Sequence, residues 1–325
     1  MSHILLIIDG MTDPHFRIAD YPSMDSMQRL APVDYSEGGR PETLTCTLRI
    51  LGLRQVPPHI RPIVEAYGAG LRVEPDDLWL RASWYHIDEQ GQPERQESPD
   101  DFTFPTDTTA DVEPHDLGQG HWLFRLREER YLCERLTLPT LFVTGKMGDL
   151  LPEGDETIRD YFSHLATPRH RLIVWDKGVS CPLPQLQEPS VIIAAEKVLL
   201  GLGKMLDWET VTHPSLTGDT DTNLGLLAQL TLEAADRTDR VIVHVNGADQ
   251  AGHRRDEAGK RAFLRRIDSE LLPPLLRSPH HLTLTSDHGC DPVTGFHLAG
   301  PQPILCSGMT HLRGNEGYRK QFSSL

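Results

Sequence analysis

The chain has 325 residues, enough for a large core and more than one domain, and it carries 32 Lys and Arg against 47 Asp and Glu, a formal charge of −15. That balance argues against a nucleic-acid or membrane-surface partner, and no stretch approaches the roughly 18 consecutive apolar residues of a membrane span. The five cysteines (46, 133, 181, 290 and 306) are odd in number and lack CxxC spacing, which fits reduced thiols in a cytoplasmic protein and gives neither a zinc knuckle nor a disulfide framework.

The opening MSHILLIIDG has no basic flank and no small-residue cleavage site, so it reads as a strand, His3 to Ile8, and not as a signal peptide. Asp9 stands just past that strand, where ligands collect in open α/β sheets. A carboxylate capping the next turn is the plainer alternative. Tyr21 to Met27 reads as a turn opening a helix, with Ser23 or Asp25 near its cap. In GGRPETLTCTLRILGL (38–53) two glycines and Pro41 make a loop, and Leu44, Leu48 and Leu51 then share one helical face. Thr43 therefore opens a helix, where unpaired N–H groups favour an anion or a developing alkoxide. An ordinary threonine N-cap has the same sequence.

From about residue 60 to 185 the texture changes. Leu78 to Ile87 alternates and runs into the turn DEQGQ, which predicts a hairpin. Residues 93 to 120 are acidic, rich in Pro and Thr and aperiodic, and predict a long loop. WLFRLREERYLCERL (122–136) reads as a strand pair, and Leu141 to Thr144 and Leu172 to Trp175 as further short strands. Together they predict an inserted α+β domain.

Ser190 to Met205 has a helical pattern capped by Ser190, with Glu196 and Lys197 outward. Residues 212 to 223 form a loop, and Asn223 to Ala235 a helix. VIVHV (241–245) is a short β-branched run of the kind buried in a parallel sheet. Asp249 and His253 follow it, four residues apart, with Gly247 and Gly252 allowing a tight turn. A carboxylate and an imidazole there suit a divalent metal, although a polar loop ending in a helix cap would look similar. Lys260 to Leu276 is an amphipathic helix and Leu282 to Thr285 the last core strand, with Asp287 and His288 past its end and His297 nine residues after His288.

Three strand ends thus offer ligands, and in this order they resemble the alkaline phosphatase superfamily. The nearer resemblance is to cofactor-independent phosphoglycerate mutases of the archaeal type. Residues 241–256 resemble that family's strand–D–x–x–G–H segment, and SDHGCDPVTGFHLAGPQPIL (286–305) is similar in its Asp-His, the step to the next His and the Pro-x-Pro. IIDGMTD resembles the first strand, YPSMDSM the following turn, and GLGKMLDWETVTHPSLTGDTDTN the segment linking insert and core. The resemblance spans both core halves, about 190 residues, with a faint trace in the insert.

The resemblance implies that one metal is held by Asp249, His253 and His297, and the other by Asp9, Asp287, His288 and the nucleophile. The family's nucleophile is a serine in a Pro-Gly-Ser turn. Thr43 takes that position here, with Thr45 and Cys46 as alternatives. Where the family has an Asn four residues later, this chain has Thr47. Arg81 matches an Arg that the family uses on substrate, and Asp176-Lys177-Gly178 replaces an Arg-Gly pair, leaving Lys177 as the second substrate-side cation. The metal set is complete, and the phosphoglycerate-recognition set is thinned.

The expected fold is α/β, an alkaline-phosphatase-like doubly wound, mostly parallel sheet (residues 1–59 and 186–325) with a smaller inserted α+β cap domain (60–185). The expected chemistry is phosphoryl transfer through a phosphorylated Thr43, with two divalent ions, Mn²⁺ or Zn²⁺, and Mg²⁺ as a further option. Interconversion of 2- and 3-phosphoglycerate heads the list of activities. A phosphatase, a homoserine-kinase-like phosphotransferase and a non-catalytic metal- or phosphate-binding protein stand as alternatives. The expected partner is a small phosphorylated metabolite, with no nucleic acid or membrane, and with monomer and homo-oligomer both open.

Overall fold

The run HILLII is buried along its whole length and forms the middle of a sheet, as a continuous apolar strand covered on both faces should. The computed structural model describes residues 1–53, 55–89, 93–99, 102–105, 111–139, 150–167, 169–183 and 189–307, without side-chain detail at 93–95. They divide into two compact units, Met1–Val56 with Leu183–Leu325, and Pro57–Pro182.

In the first unit seven strands lie in the order Gln28–Val33, Gln302–Cys306, His281–Thr285, His3–Ile8, Arg240–Val245, Val191–Ile193 and Glu209–Val211. The five from His281–Thr285 to Glu209–Val211 run parallel, Gln302–Cys306 is antiparallel to His281–Thr285, and Gln28–Val33 is antiparallel to Gln302–Cys306. The central strand has Ile4 opposite Val241 on one side and Leu282 on the other. Its carboxyl end is therefore flanked by the carboxyl ends of two others, the position where such sheets bind ligands. Leu224–Ala235, capped by the Asn223 side chain, packs on this sheet through Leu227, Ala228 and Ala234. The mostly parallel α/β class expected from the sequence is the one observed.

Two local expectations fail here. Ser190–Met205 is not one helix: Val191–Ile193 is a buried strand, and the helix begins at Lys197. The pairing of Val191, Ile192 and Ile193 with the 241–243 run outweighs the helical periodicity. Neither Ser23 nor Asp25 caps the Pro22–Asp25 turn. The N–H groups of Ser23 and Met24 go instead to the Asp268 carboxylate, at 3.1 and 2.9 Å. Asp268 lies in a π-helical turn, Ile267–Leu271, that joins the helices Glu257–Arg266 and Leu272–Arg277.

The second unit is an antiparallel sheet. Leu78–Ile87 pairs with Pro93–Arg95, His121–Leu126 and His170–Val179, and Val112–Gly118 pairs with His121–Leu126. Trp84, Phe124, Tyr161 and Phe162 fill its core. The long loop expected over 93–120 therefore contains two strands, Pro93–Arg95 and Val112–Gly118, the second formed by a register that puts Val112 opposite Leu126. The second strand expected before Leu136 is a helical turn, Leu132–Arg135. The strand expected at 141–144 lies outside the described residues. Among the described residues no helix is long and apolar enough to cross a membrane.

Candidate metal centre

Asp9 follows the central strand directly and is buried, its N–H bound to Val245 O at 3.0 Å. Gly10 has φ +62°, and a Cβ there would lie 2.7 Å from the Asp249 Cα. Glycine is what lets these two strand ends approach. Asp249 and His253 lie in the helix Gly247–His253, which begins after Asn246 at the end of the neighbouring strand. Their spacing of four puts both side chains on one helix face. A small hairpin with Cys290 opposite His297 folds His297 back, so that its ring stacks on His288 with centroids 3.9 Å apart.

Two clusters result. In one, Asp249 reaches His253 Nε2 at 3.1 Å and His297 Nε2 at 3.4 Å, and the two Nε2 atoms are 3.0 Å apart. In the other, His288 Nε2 lies 3.5 Å from Asp9 Oδ1, 3.4 Å from Asp287 Oδ2 and 3.4 Å from Thr43 Oγ1, and Thr43 Oγ1 lies 3.5 Å from Asp9 Oδ2. Donor atoms held tetrahedrally around an ion by bonds of ~2.1 Å are themselves about 3.4 Å apart. The contacts within the first cluster, and those of His288 and Thr43 in the second, are close to that spacing. Asp249 also lies within reach of the second cluster, through a group of Asp9, Asp249 and His288 whose ligand atoms fall within 4.8 Å of one another.

The imidazoles are oriented for ligation. Nδ1 of His253, His288 and His297 meets the backbone carbonyls of Gly295, Gly289 and Pro41 at 2.8, 3.1 and 2.9 Å. A carbonyl only accepts, so each Nδ1 carries a proton and each neutral ring turns its Nε2 lone pair inward. Asp9 Oδ1 and Asp287 Oδ2 are buried without a hydrogen-bond partner among the described residues and face that lone pair of His288. Buried acceptors turned on one another are costly unless a cation lies among them. The residues present fit divalent ions.

The protonation pattern agrees. Burial, reinforced by Asp287 and Asp249, holds the Asp9 carboxyl well above the usual carboxylate range. Burial and then Asp249 push Asp287 up to about 7. Burial also acts to raise Asp249, but the imidazoles of His253 and His297 beside it hold it well below. Burial, aided by His297, takes His288 down to about 3, so it stays a neutral donor.

Thr43 is the first residue of the helix Thr43–Ile50, whose N-cap Glu42 makes no side-chain cap. Cys46 is buried in that helix with its thiol pushed up to about 12, chiefly by burial, and Thr45 is half-buried. Arg81 and Lys177 lie on paired strands of the second unit. Arg81 is buried at a bulge, its Nε on Glu65, its Nη1 2.8 Å from Ala82 O, and its guanidinium 5.0 Å over the Trp175 ring. Lys177 Nζ donates to Leu136 O at 2.5 Å.

The sequence reading missed three residues here. Asn246 Nδ2 donates to Asp9 Oδ2 at 3.2 Å, and His244 lies on the other side of that amide. Lys260, fully buried, ties the loops after the first and last core strands together through Thr12 O at 3.2 Å, Asp13 at 3.4 Å and Cys290 O. The signal for His244 was one imidazole inside an otherwise aliphatic strand.

Residues 190–324 match the metalloenzyme superfamily. The chain is 26% identical to a 2,3-bisphosphoglycerate-independent phosphoglycerate mutase of Methanopyrus kandleri over 91% of this chain and 82% of that one. It is 23% identical to one from Archaeoglobus fulgidus over 94% of this chain and 88% of that one. Among solved structures, the PH0037 protein of Pyrococcus horikoshii superposes with a TM-score of 0.70 at 19% identity, covering 98% of this chain and 92% of its own. The cofactor-independent phosphoglycerate mutase of Thermoplasma acidophilum superposes with a TM-score of 0.52 at 14% identity, covering 98% and 94%.

Proposed function

We propose that this chain, which matches the metalloenzyme superfamily over residues 190–324 and is similar over most of its length to archaeal 2,3-bisphosphoglycerate-independent phosphoglycerate mutases, is an enzyme that interconverts 2- and 3-phosphoglycerate through a phosphorylated Thr43. The observation that carries this reading is the meeting of Thr43 Oγ1 with Asp9 and His288 at 3.5 and 3.4 Å, beside a carboxylate–imidazole set spaced for a cation.

Asp249, His253 and His297 would hold one divalent ion, and Asp9, Asp287 and His288 the other, with Thr43. Mn²⁺ and Zn²⁺ suit the donors, and Mg²⁺ is less suited to imidazole. Bound ions would lower the pKa of the hydroxyl and offset charge on the phosphoryl oxygens. The uncapped start of the Thr43–Ile50 helix adds N–H groups directed at the same anion. In the first half-reaction Thr43 Oγ forms a bond to phosphorus while the bond from phosphorus to the glycerate oxygen breaks. That oxygen takes a proton, and Thr43 loses its own. In the second half-reaction the neighbouring glycerate hydroxyl attacks the phosphothreonine and restores Thr43.

A second outcome, in which water accepts the phosphoryl group, is favoured by one feature. Thr47 stands where the mutases place an Asn four residues after the nucleophile, and it is fully buried with no hydrogen-bond partner for its hydroxyl among the described residues. Incubating the metal-loaded protein with 3-phosphoglycerate and following ³¹P NMR separates the outcomes. Conversion to 2-phosphoglycerate without free phosphate is expected. Release of inorganic phosphate alone makes the protein a phosphatase, and a turnover that requires ATP makes it kinase-like.

A further inference from the structure

His244 lies in the Arg240–Val245 strand, and its side chain is buried beside Asp9. The carboxamide of Asn246 sits between the two. Its Nδ2 donates to Asp9 Oδ2 at 3.2 Å, so its Oδ1 is the atom turned to His244 Nδ1, at 3.2 Å. An amide oxygen only accepts, which puts the ring proton on Nδ1 and leaves a lone pair on Nε2. That Nε2 has no hydrogen-bond partner among the described residues and lies 3.7 Å from Asp9 Oδ2. Asp9, His244 and Asp287 each bring a ligand atom within 4.8 Å of the others.

A core histidine kept for packing would satisfy both ring nitrogens or leave one in water. Here one nitrogen is satisfied by an amide that also orients a metal-ligand candidate, and the other faces a carboxylate oxygen across a gap. An imidazole oriented by a hydrogen bond on its other nitrogen is the usual arrangement of a metal-bound histidine. We propose that His244 is itself a metal ligand, its Nε2 joining Asp9 and Asp287 in holding the second ion, with Asn246 as the residue that positions it. This rests on the two-ion reading above and deepens it. A second imidazole makes that position nitrogen-rich, which favours Zn²⁺ or Co²⁺ over Mg²⁺.

Co²⁺ loading of the full chain tests this without reference to turnover. Each Co²⁺-bound imidazole carries an Nδ1 proton that paramagnetism shifts far outside the normal proton spectrum and that exchanges with ²H₂O. Four such signals are expected, from His244, His253, His288 and His297. His244→Gln should remove one of them and weaken the second Co²⁺, and Asn246→Ala should cost that ion about 10- to 100-fold in affinity. Two Co²⁺ equivalents with only three exchangeable signals overturn the assignment of His244 alone. Uptake of fewer than two equivalents overturns the two-ion reading itself. The wild-type spectrum decides the matter even if His244→Gln fails to fold.

Discussion

Thr43 can be a helix-start residue that does nothing more, or the atom that takes the phosphoryl group, and the two roles differ greatly in magnitude. Because Glu42 and not Thr43 is the N-cap, losing the Thr43 hydroxyl should cost less than the ~1 kcal/mol of a cap, whereas losing a nucleophile removes orders of magnitude in rate. Thr43→Ala is expected to fold, to keep most of its metal and to lose turnover, while Thr43→Ser keeps part of it. Mass analysis of protein quenched with substrate should find the phosphoryl adduct on the peptide that contains Thr43. An adduct carried by Thr45 instead would move the nucleophile two residues along the helix. At this scale the sequence was legible wherever a ligand sits directly past an apolar strand, as with Asp9, Asp249 and Asp287, because strand ends are where this architecture gathers chemistry. His244 was not legible. It lies within a strand, and alternation assigns such a residue to a packed face without saying what its second nitrogen meets. Asn246 was hidden for a similar reason, since its amide bridges Asp9 and His244 only once two strands lie side by side.

Long apolar strands and well-capped helices were also readable as elements: His3–Ile8, Leu78–Ile87 and Leu224–Ala235 occupy the spans that their patterns predict. The failures share a cause. In Val191–Ile193, three residues are too few for a period, and pairing with a neighbouring strand decides the conformation. Val112–Gly118 is polar and turn-like in composition, and it is a strand because His121–Leu126 offers it an edge. The turn at Gly10 depends in the same way on what the fold brings up to it. Gly10→Ala would place a methyl group 2.7 Å from the Asp249 Cα while demanding a left-handed backbone. Overpacking and backbone strain each cost about 1–3 kcal/mol. The variant should therefore unfold at a lower temperature and bind metal more weakly at both clusters, because Asp9 and Asp249 flank the glycine. Thermal melts with and without Mn²⁺ check this, and unchanged metal affinity would show that the two strand ends need not meet so closely.

Across the whole chain acidic residues outnumber basic ones by 15, and three of the carboxylates are buried together in one centre. The titration of that centre links folding, metal and pH. Asp287, raised to about 7, holds its proton more tightly in the folded chain than in the unfolded one, and Asp9 is shifted in the same direction. In the metal-free protein their contribution to stability is complete below the ordinary carboxylate pKa and is lost as pH rises toward about 7. His288 and His244, lowered to about 3 and about 4, work in the opposite direction, since the unfolded chain takes up their protons below about 6.5. These slopes partly cancel in the metal-free protein. They do not cancel in metal binding, because both imidazoles are already neutral above pH 4, while an ion must displace the protons of Asp287 and Asp9. The stabilisation by a ligand that binds only the folded state follows its affinity. The rise in melting temperature produced by a fixed Mn²⁺ concentration is therefore expected to grow from about pH 5 to pH 7 and to level off above that, in step with Asp287. Each displaced proton should make the increment smaller by on the order of 1 kcal/mol at pH 6 than at pH 8. Calorimetry in buffers of different ionisation enthalpy should count the protons released, at least one at pH 6 and fewer at pH 8. Equal increments at both pH values, with no proton release, would place the ions away from Asp9 and Asp287.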